Sequence, residues 1–299
     1  MKDKLNIHGI TLDGHAQGGV QTSIFVPEAR ALFDVGVDIG APVDDIFVTH
    51  GHPDHIGALH GVVARRITRK NIAVPGKTLK PLRIHVPAGI APGVSASLSA
   101  MDLVFGDRHR PVWEVVAHSP GGAPMVMGRD LHIEPVHTFH GVASCGWVVK
   151  RLVKKLKPEL AHLSGKEIGE LARAGHEVSD SHWNTDLVVP GDTMIDFLIR
   201  SPEAQQAKVL LHEVTFWDDR STVEKCRAFG HTHVDEMIEH CEKFCGEALV
   251  LVHRSMRYTR MECEAIIKKR FPASMLPKIH MFDEGQSLDD RLKATWCKA

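Results

Sequence analysis

The run His50-Gly51-His52-Pro53-Asp54-His55 follows directly on the apolar stretch Asp45-Ile46-Phe47-Val48-Thr49. His50 and His52 are two apart, so on extended backbone their side chains point the same way. Pro53 lacks an amide hydrogen and suits the first position of a helix. Asp54 and His55 then project from the helix start toward a second point close to the first. Imidazole and carboxylate are ligands that Zn²⁺ accepts, and two such sets this close suit two metals. A polar surface turn would not concentrate four ligand-type side chains in six residues behind a buried strand.

Working outward, four more apolar runs also end at a His, Asp or Glu. They are Leu131–His137, Asp186–Asp192, Lys208–Glu213 and Ala248–His253. Their length and β-branched content predict buried strands. Loops at the carboxyl ends of such strands converge on one crevice, where α/β proteins bind ligands. Helices are predicted over Ile56–Arg69, Lys166–Ala174, Val234–Phe244 and Met261–Arg270. The alternation predicts one domain over residues 1–299, a four-layer αββα sandwich with two face-to-face sheets and helices outside. Two metals need ligands beyond the run. His140, Asp192 and His253 are the best placed, and His137 rivals His140 on spacing alone. Asp192 has two oxygens and could bind one ion with each.

Composition narrows the function classes. The chain has 299 residues, 43% hydrophobic and 24% charged, an ordinary globular balance. Its net charge of -1 excludes polyanion binding through global charge, so a nucleic-acid substrate would need a local basic patch. The 21 histidines are a surplus that invites a search for metal or proton-transfer sites. Met1-Lys2-Asp3-Lys4-Leu5 lacks the apolar stretch of a signal peptide, and no window has the length of a membrane span. Six cysteines without a C-x-x-C pair are expected to be reduced thiols in a cytoplasmic protein.

Several further motifs stand in a fixed order: Phe33-Asp34-Val35-Gly36, Thr138-Phe139-His140 with Gly146-Trp147-Val148-Val149, and Leu163-Ser164-Gly165-Lys166-Glu167-Ile168. After them come Gly191-Asp192-Thr193, His212-Glu213-Val214-Thr215-Phe216, Gly230-His231-Thr232-His233 and His253-Arg254-Ser255-Met256-Arg257-Tyr258. With the His50 run, this series resembles the tRNase Z (ribonuclease Z) family of the metallo-β-lactamase superfamily, in its short plant-type form. The resemblance implies that His50, His52 and His140 hold one zinc, that Asp54, His55 and His253 hold the other, and that Asp192 bridges them. It selects His140 over His137. It makes Asp34 a group that orients the ligand loop, and Asp54, Glu213 and His231 the catalytic group, with His231 donating a proton to the leaving group. The activity it implies is trimming of tRNA precursors at the 3′ end, leaving a 3′-hydroxyl, by a homodimer carrying two Zn²⁺ per chain; Mn²⁺ or Fe²⁺ suit the same ligands.

Lys150, Arg151, Lys154, Lys155 and Lys157 put five positive charges into eight residues. They open a short basic insertion over 150–175, where the family carries a tRNA-gripping arm, and phosphate contacts from such a patch would be charge-driven. The alternatives on the same scaffold are a small-molecule or broad-specificity phosphodiesterase and a lactone, thioester or β-lactam hydrolase.

Overall fold

A computed structural model describes residues 3–70, 80–105 and 111–282. Among these, two sheets face each other. The first runs in the order β1 (Asp3–Ile7), β2 (Ile10–Gly18), β3 (Gln21–Val26), β4 (Ala31–Phe33), β5 (Asp45–Phe47), β6 (Leu82–Pro87) and β7 (Trp113–His118). The second contains β8 (Met125–Val126), β9 (Leu131–Val136), β10 (Gly146–Leu156), β11 (Ser179–Val189), β12 (Val209–Glu213), β13 (Ala248–Val252) and β15 (Ile279–Met281). The two-residue strand β14 (Arg254–Ser255) leaves the second sheet to pair with β2 of the first, which ties the sheets together beside His253.

Three apolar layers explain the order of the sandwich. Phe33, Phe47, Trp147, Val209 and Val250 interdigitate between the sheets. Leu210 and Leu249 point the other way and meet Phe197, Met237 and Ile267 from α5 (Asp196–Arg200), α6 (Val234–His240) and α7 (Arg260–Arg270). On the far side, Ile46 and Ile84 meet Val62 and Val63 of α2 (Leu59–Lys70) and Val94 and Leu98 of α3 (Ala91–Phe105). Strands covered on both faces must be apolar at successive positions, which is why β13 and the first three residues of β12 read as unbroken hydrophobic runs. The αββα expectation holds.

The local differences have physical causes. The predicted strand through His50 stops at Phe47, because the Thr49 amide leaves the sheet to donate to the Asp34 carboxylate, 2.7 Å away. The predicted helix from Ile56 divides into α1 (Pro53–Ile56) and α2 around Gly57. The helix predicted to reach Phe244 ends at His240 and tightens into a 3₁₀ turn over Cys241–Lys243. Helix α3 was not predicted, because it opens on Ala-Pro-Gly and carries a weakly patterned face. The basic stretch is the outer part of β10, which pairs with β11 from Trp147↔Val189 to Leu156↔Ser179 but with β9 only as far as Arg151, so the two strands run on from a root at Lys150 and Arg151 as a two-stranded ribbon. The link across its tip holds a 3₁₀ turn at Pro158–Leu160 and α4 (Gly165–Arg173), started by a Ser164/Glu167 capping box.

Candidate metal centre

The carboxyl ends of β5, β9, β11, β12 and β13 converge, and each contributes to one buried cluster. His50 and His52 come from the loop after β5, Asp54 and His55 from α1, His140 from beyond β9, Asp192 from beyond β11 and His253 from the residue after β13. Tight backbone packing makes room for them. A side chain at Gly36 would lie 1.8 Å from the Asp54 carbonyl, and Gly191 (φ +70°) turns Asp192 inward where a Cβ would strike Thr49. His253 and Asp34 are held at φ 61° and 57°, a conformation rare outside glycine that is retained where surroundings over-determine it.

Two donor sets face one another. In the first, His50 Nε2 lies 3.0 Å from His52 Nδ1, which lies 3.5 Å from His140 Nε2. In the second, His55 Nε2 lies 3.2 Å from His253 Nε2 and 3.6 Å from Asp54 Oδ2. Asp192 spans both: its Oδ2 is 3.6 Å from His50 Nε2, and its Oδ1 is 3.3 Å from His55 Nε2 and 3.2 Å from His253 Nε2. Yet buried Asp192 Oδ1 takes no hydrogen bond. Nitrogens and oxygen therefore point at common centres rather than at each other. Donor–donor separations of this size suit tetrahedral ligands at about 2.0–2.1 Å from a Zn²⁺ ion. The residues fit a pair of divalent cations.

The outer nitrogens are fixed by a second ring of contacts. Asp34 accepts from the Thr49 hydroxyl (2.9 Å) and from His55 Nδ1 (2.8 Å). That hydroxyl stands 3.1 Å from His50 Nδ1. His140 Nδ1 donates to the Gly230 carbonyl at 2.9 Å. The Gly19 amide donates to Asp54 Oδ2 at 2.8 Å. Such partners set the tautomer and ring orientation of metal-binding histidines. Burial, reinforced by His55, pushes His50 down to about 2, so it stands neutral with a lone pair to offer. Burial disfavours the Asp192 carboxylate, but His253 and His55 outweigh it and hold the group well below the usual carboxylate range.

His231 stands at the edge of this cluster. Its Nδ1 donates to Glu213 Oε1 at 2.8 Å, and its ring stacks on His253 with centroids 5.6 Å apart. Burial opposes charging, but the Glu213 carboxylate prevails and pushes His231 up to about 9. That carboxylate favours the protonated imidazole at the edge of the two donor sets.

All seven candidate ligands and Asp34, Glu213 and His231 are thus brought together. His137 is not: it is exposed and packs against Phe139, which resolves the choice the spacing left open. The five basic residues lie on the ribbon. Lys150 pairs with Glu134 at 2.6 Å, Arg151 with Asp186 at 2.7 Å and Lys157 more loosely with Glu177 at 3.9 Å. Lys154 and Lys155 are exposed. Sequence reasoning missed Thr49 and Thr215 as functional positions. Each lies two residues past the end of a strand, outside the alternating pattern, so periodicity gives no signal for either.

Comparison with known proteins agrees. Residues 19–145 match the family model described as metallo-beta-lactamase superfamily. The chain is 36% identical over 273 residues to tRNase Z TRZ1 of Arabidopsis thaliana, covering 88% of this chain and 91% of that protein. It is 30% identical to the chloroplastic tRNase Z TRZ2 of the same plant, covering 91% and 76%. Among solved structures, the short form of human tRNase Z superposes with a TM-score of 0.56 at 15% identity, covering 91% and 95% of the two chains. The Bacillus subtilis metallo-beta-lactamase fold protein YhfI does so with 0.57 at 16%, over the same shares. The structural matches establish the fold; the family model and the sequence relatives together give the class, a protein of the metallo-β-lactamase superfamily. Within that superfamily, the similarity along nearly the whole chain is decisive. The chain belongs to the tRNase Z family.

Proposed function

We propose that this chain is a metal-dependent phosphodiesterase that cuts tRNA precursors on the 3′ side and leaves a 3′-hydroxyl. The observation that carries the reading is the Glu213–His231 pair, 2.8 Å apart, at the edge of the double donor set. His50, His52 and His140 would hold one cation, Asp54, His55 and His253 the other, with Asp192 between; two Zn²⁺ per chain suit these ligands, and Mn²⁺ or Fe²⁺ are compatible. Bound there, divalent cations acidify a water and offset the charge of a phosphate.

The protein's own residues supply the rest. Asp54, steadied by the Gly19 amide, presents its carboxylate beside His55 and His253, where it would help hold the second cation. The departing ribose oxygen is a poor leaving group unless protonated. Glu213 takes the Nδ1 proton of His231 as a fixed hydrogen bond, which leaves Nε2 as the atom that can give its proton away. General acid catalysis of this kind contributes about 10²–10⁴-fold. A thioester hydrolase, whose thiolate leaves without protonation, has no need for this pair.

The ribbon over 150–175 is the proposed RNA contact. Exposed Trp183 stacks on His132 with centroids 3.8 Å apart and shares a ribbon face with Lys154, since Trp183 pairs with Leu152 and side chains alternate. Aromatic platforms beside lysines suit unpaired bases and their phosphates. Lys150, Arg151 and Lys157 would add to the field while held by their acidic partners. That pairing also favours the second reading, a small-molecule phosphodiesterase, because it reduces the charge left for RNA.

No helix among the described residues is long and apolar enough to cross a membrane. A cytoplasmic homodimer of one domain over residues 1–299 is proposed. Cys145, Cys226, Cys241 and Cys245 are free thiols, which suits a reducing compartment; Cys297 lies outside the described residues. Light scattering tests the dimer.

The decisive experiment is cleavage of a 3′-extended tRNA, with product ends mapped and metal measured on the same sample. Cleavage after the 3′ end of the mature acceptor with two metals per chain is expected; turnover of small phosphodiesters alone would favour the second reading. Lys154→Glu with Lys155→Glu should raise KM for tRNA and flatten its salt dependence by about one unit of slope per lost phosphate contact, with small phosphodiesters unaffected.

A further inference from the structure

The hydroxyl of Thr215 makes two short contacts that decide each other. It lies 2.7 Å from Glu213 Oε2 and 3.0 Å from His253 Nδ1, and the residue is buried. A carboxylate can only accept, so the Thr215 proton goes to Glu213. The backbone carbonyl of His253 is a weaker rival for that proton, being uncharged and 3.3 Å away. With its only proton committed, the Thr215 oxygen can only accept from His253 Nδ1. His253 must then carry its proton on Nδ1 and its lone pair on Nε2, the atom that faces His55, Asp54 and Asp192. The other oxygen of the same carboxylate, Oε1, accepts from His231 Nδ1 and from the Thr193 amide at 3.2 Å.

We infer that Thr215 is a positioning residue that makes Glu213 the common anchor of a metal ligand and of the proton donor. It sets the tautomer of His253 and so couples occupancy of the second donor set to the placement of His231. The inference rests on the proposed metal-dependent reading, but its first consequence is a metal affinity and needs no particular substrate.

The test compares Thr215→Val, which keeps shape and removes the hydroxyl, with Thr215→Ser, which keeps the hydroxyl. Zn²⁺ binding by chelator competition is measured on each, followed by kcat and KM on a 3′-extended tRNA and on bis(p-nitrophenyl) phosphate. T215V should weaken one of the two zinc sites by about 10–100-fold and leave the other unchanged, the size typical of a lost outer partner of a ligand. At saturating zinc it should lower kcat while KM stays within about twofold. T215S should restore both. Wild-type zinc affinity in T215V, or equal damage in T215S, would overturn the inference. Nitrogen NMR of wild-type zinc-loaded protein supplies a readout that needs no variant: a protonated Nδ1 at His253 is expected, and a protonated Nε2 would sink the idea. Loss of tRNA cleavage specificity with these zinc and NMR results intact would count against the proposed substrate and leave the role of Thr215 standing.

Discussion

Two buried carboxylates, Asp34 and Glu213, solve the same structural problem with the same parts and different results. Each holds one histidine directly and stands beside a threonine hydroxyl that reaches a second. Asp34 takes His55 directly and reaches His50 through Thr49. Glu213 takes His231 directly and reaches His253 through Thr215. Both dependants of Asp34 belong to the donor sets, one in each. The dependants of Glu213 are divided between a donor and the imidazole proposed to protonate the leaving group. The Asp34 assembly can therefore only shape the centre, whereas the Glu213 assembly links its shape to proton transfer.

The most severe way to break both is at the atom pair between them. Asp192→Ala removes the only carboxylate among the described residues that faces both donor sets, and turnover should fall to background with loss of both metals by elemental analysis. Retention of one tightly held metal would mean that the two sets are independent. Next in size is Glu213→Gln, which keeps the shape and removes the charge. It should lower kcat by about 10²–10⁴-fold even at saturating metal. The pH profile carries the sign. With Glu213 ionised, His231 is pushed up to about 9 against the opposing effect of burial, so it stays protonated across neutral pH and the rate falls only as pH rises through that value. In E213Q the alkaline limb should move to lower pH. A limb that does not move would detach Glu213 from the proton donor.

The sequence made one half of this comparison far more legible than the other. His50 to His55 lie within six residues, so chain connectivity alone brings the two sets near each other, and alternation with a helix start separates them. His140, Asp192 and His253 each sit just past a buried strand, and Glu213 ends one. Their meeting depends on parallel strands sharing one carboxyl end, which periodicity suggests but cannot guarantee for any single residue. His137 shows the limit: by spacing it equals His140, and only the turn after β9 sends one outward and the other in. The threonines were invisible for a different reason. A threonine just past a strand end is ordinary, and its value here comes from a donor count that needs positions in space. The ribbon was hidden too, because five cations among leucines and valines read equally well as a strand edge or a helix face.

Asp34→Asn should sharpen the contrast with Glu213→Gln. Its effect belongs to holding metal, so affinity should weaken by about 10–100-fold while the metal-saturated enzyme keeps most of its kcat and its alkaline limb. The two isosteric changes would then separate by kind, one recovered by added metal and the other not. An uncorrected kcat in D34N at saturating zinc would give Asp34 a part in the reaction itself.

The smallest expected effect is that of Thr49→Val, and it is the closest test of whether the two assemblies are alike. The hydroxyl donates to Asp34, so it can only accept from His50 Nδ1 and leaves Nε2 facing His52 and Asp192. Its loss should weaken the His50 set alone. Two contacts limit the damage: the Thr49 amide still donates to Asp34 at 2.7 Å, and His55 keeps its own bond to the same carboxylate. The affinity change should therefore fall near the lower end of about 10–100-fold. No proton donor hangs from Asp34, so kcat at saturating zinc and the alkaline limb should match wild type. If T49V instead shifted the pH profile as E213Q does, the two donor sets would share one proton network, and the division of labour between the carboxylates would be false.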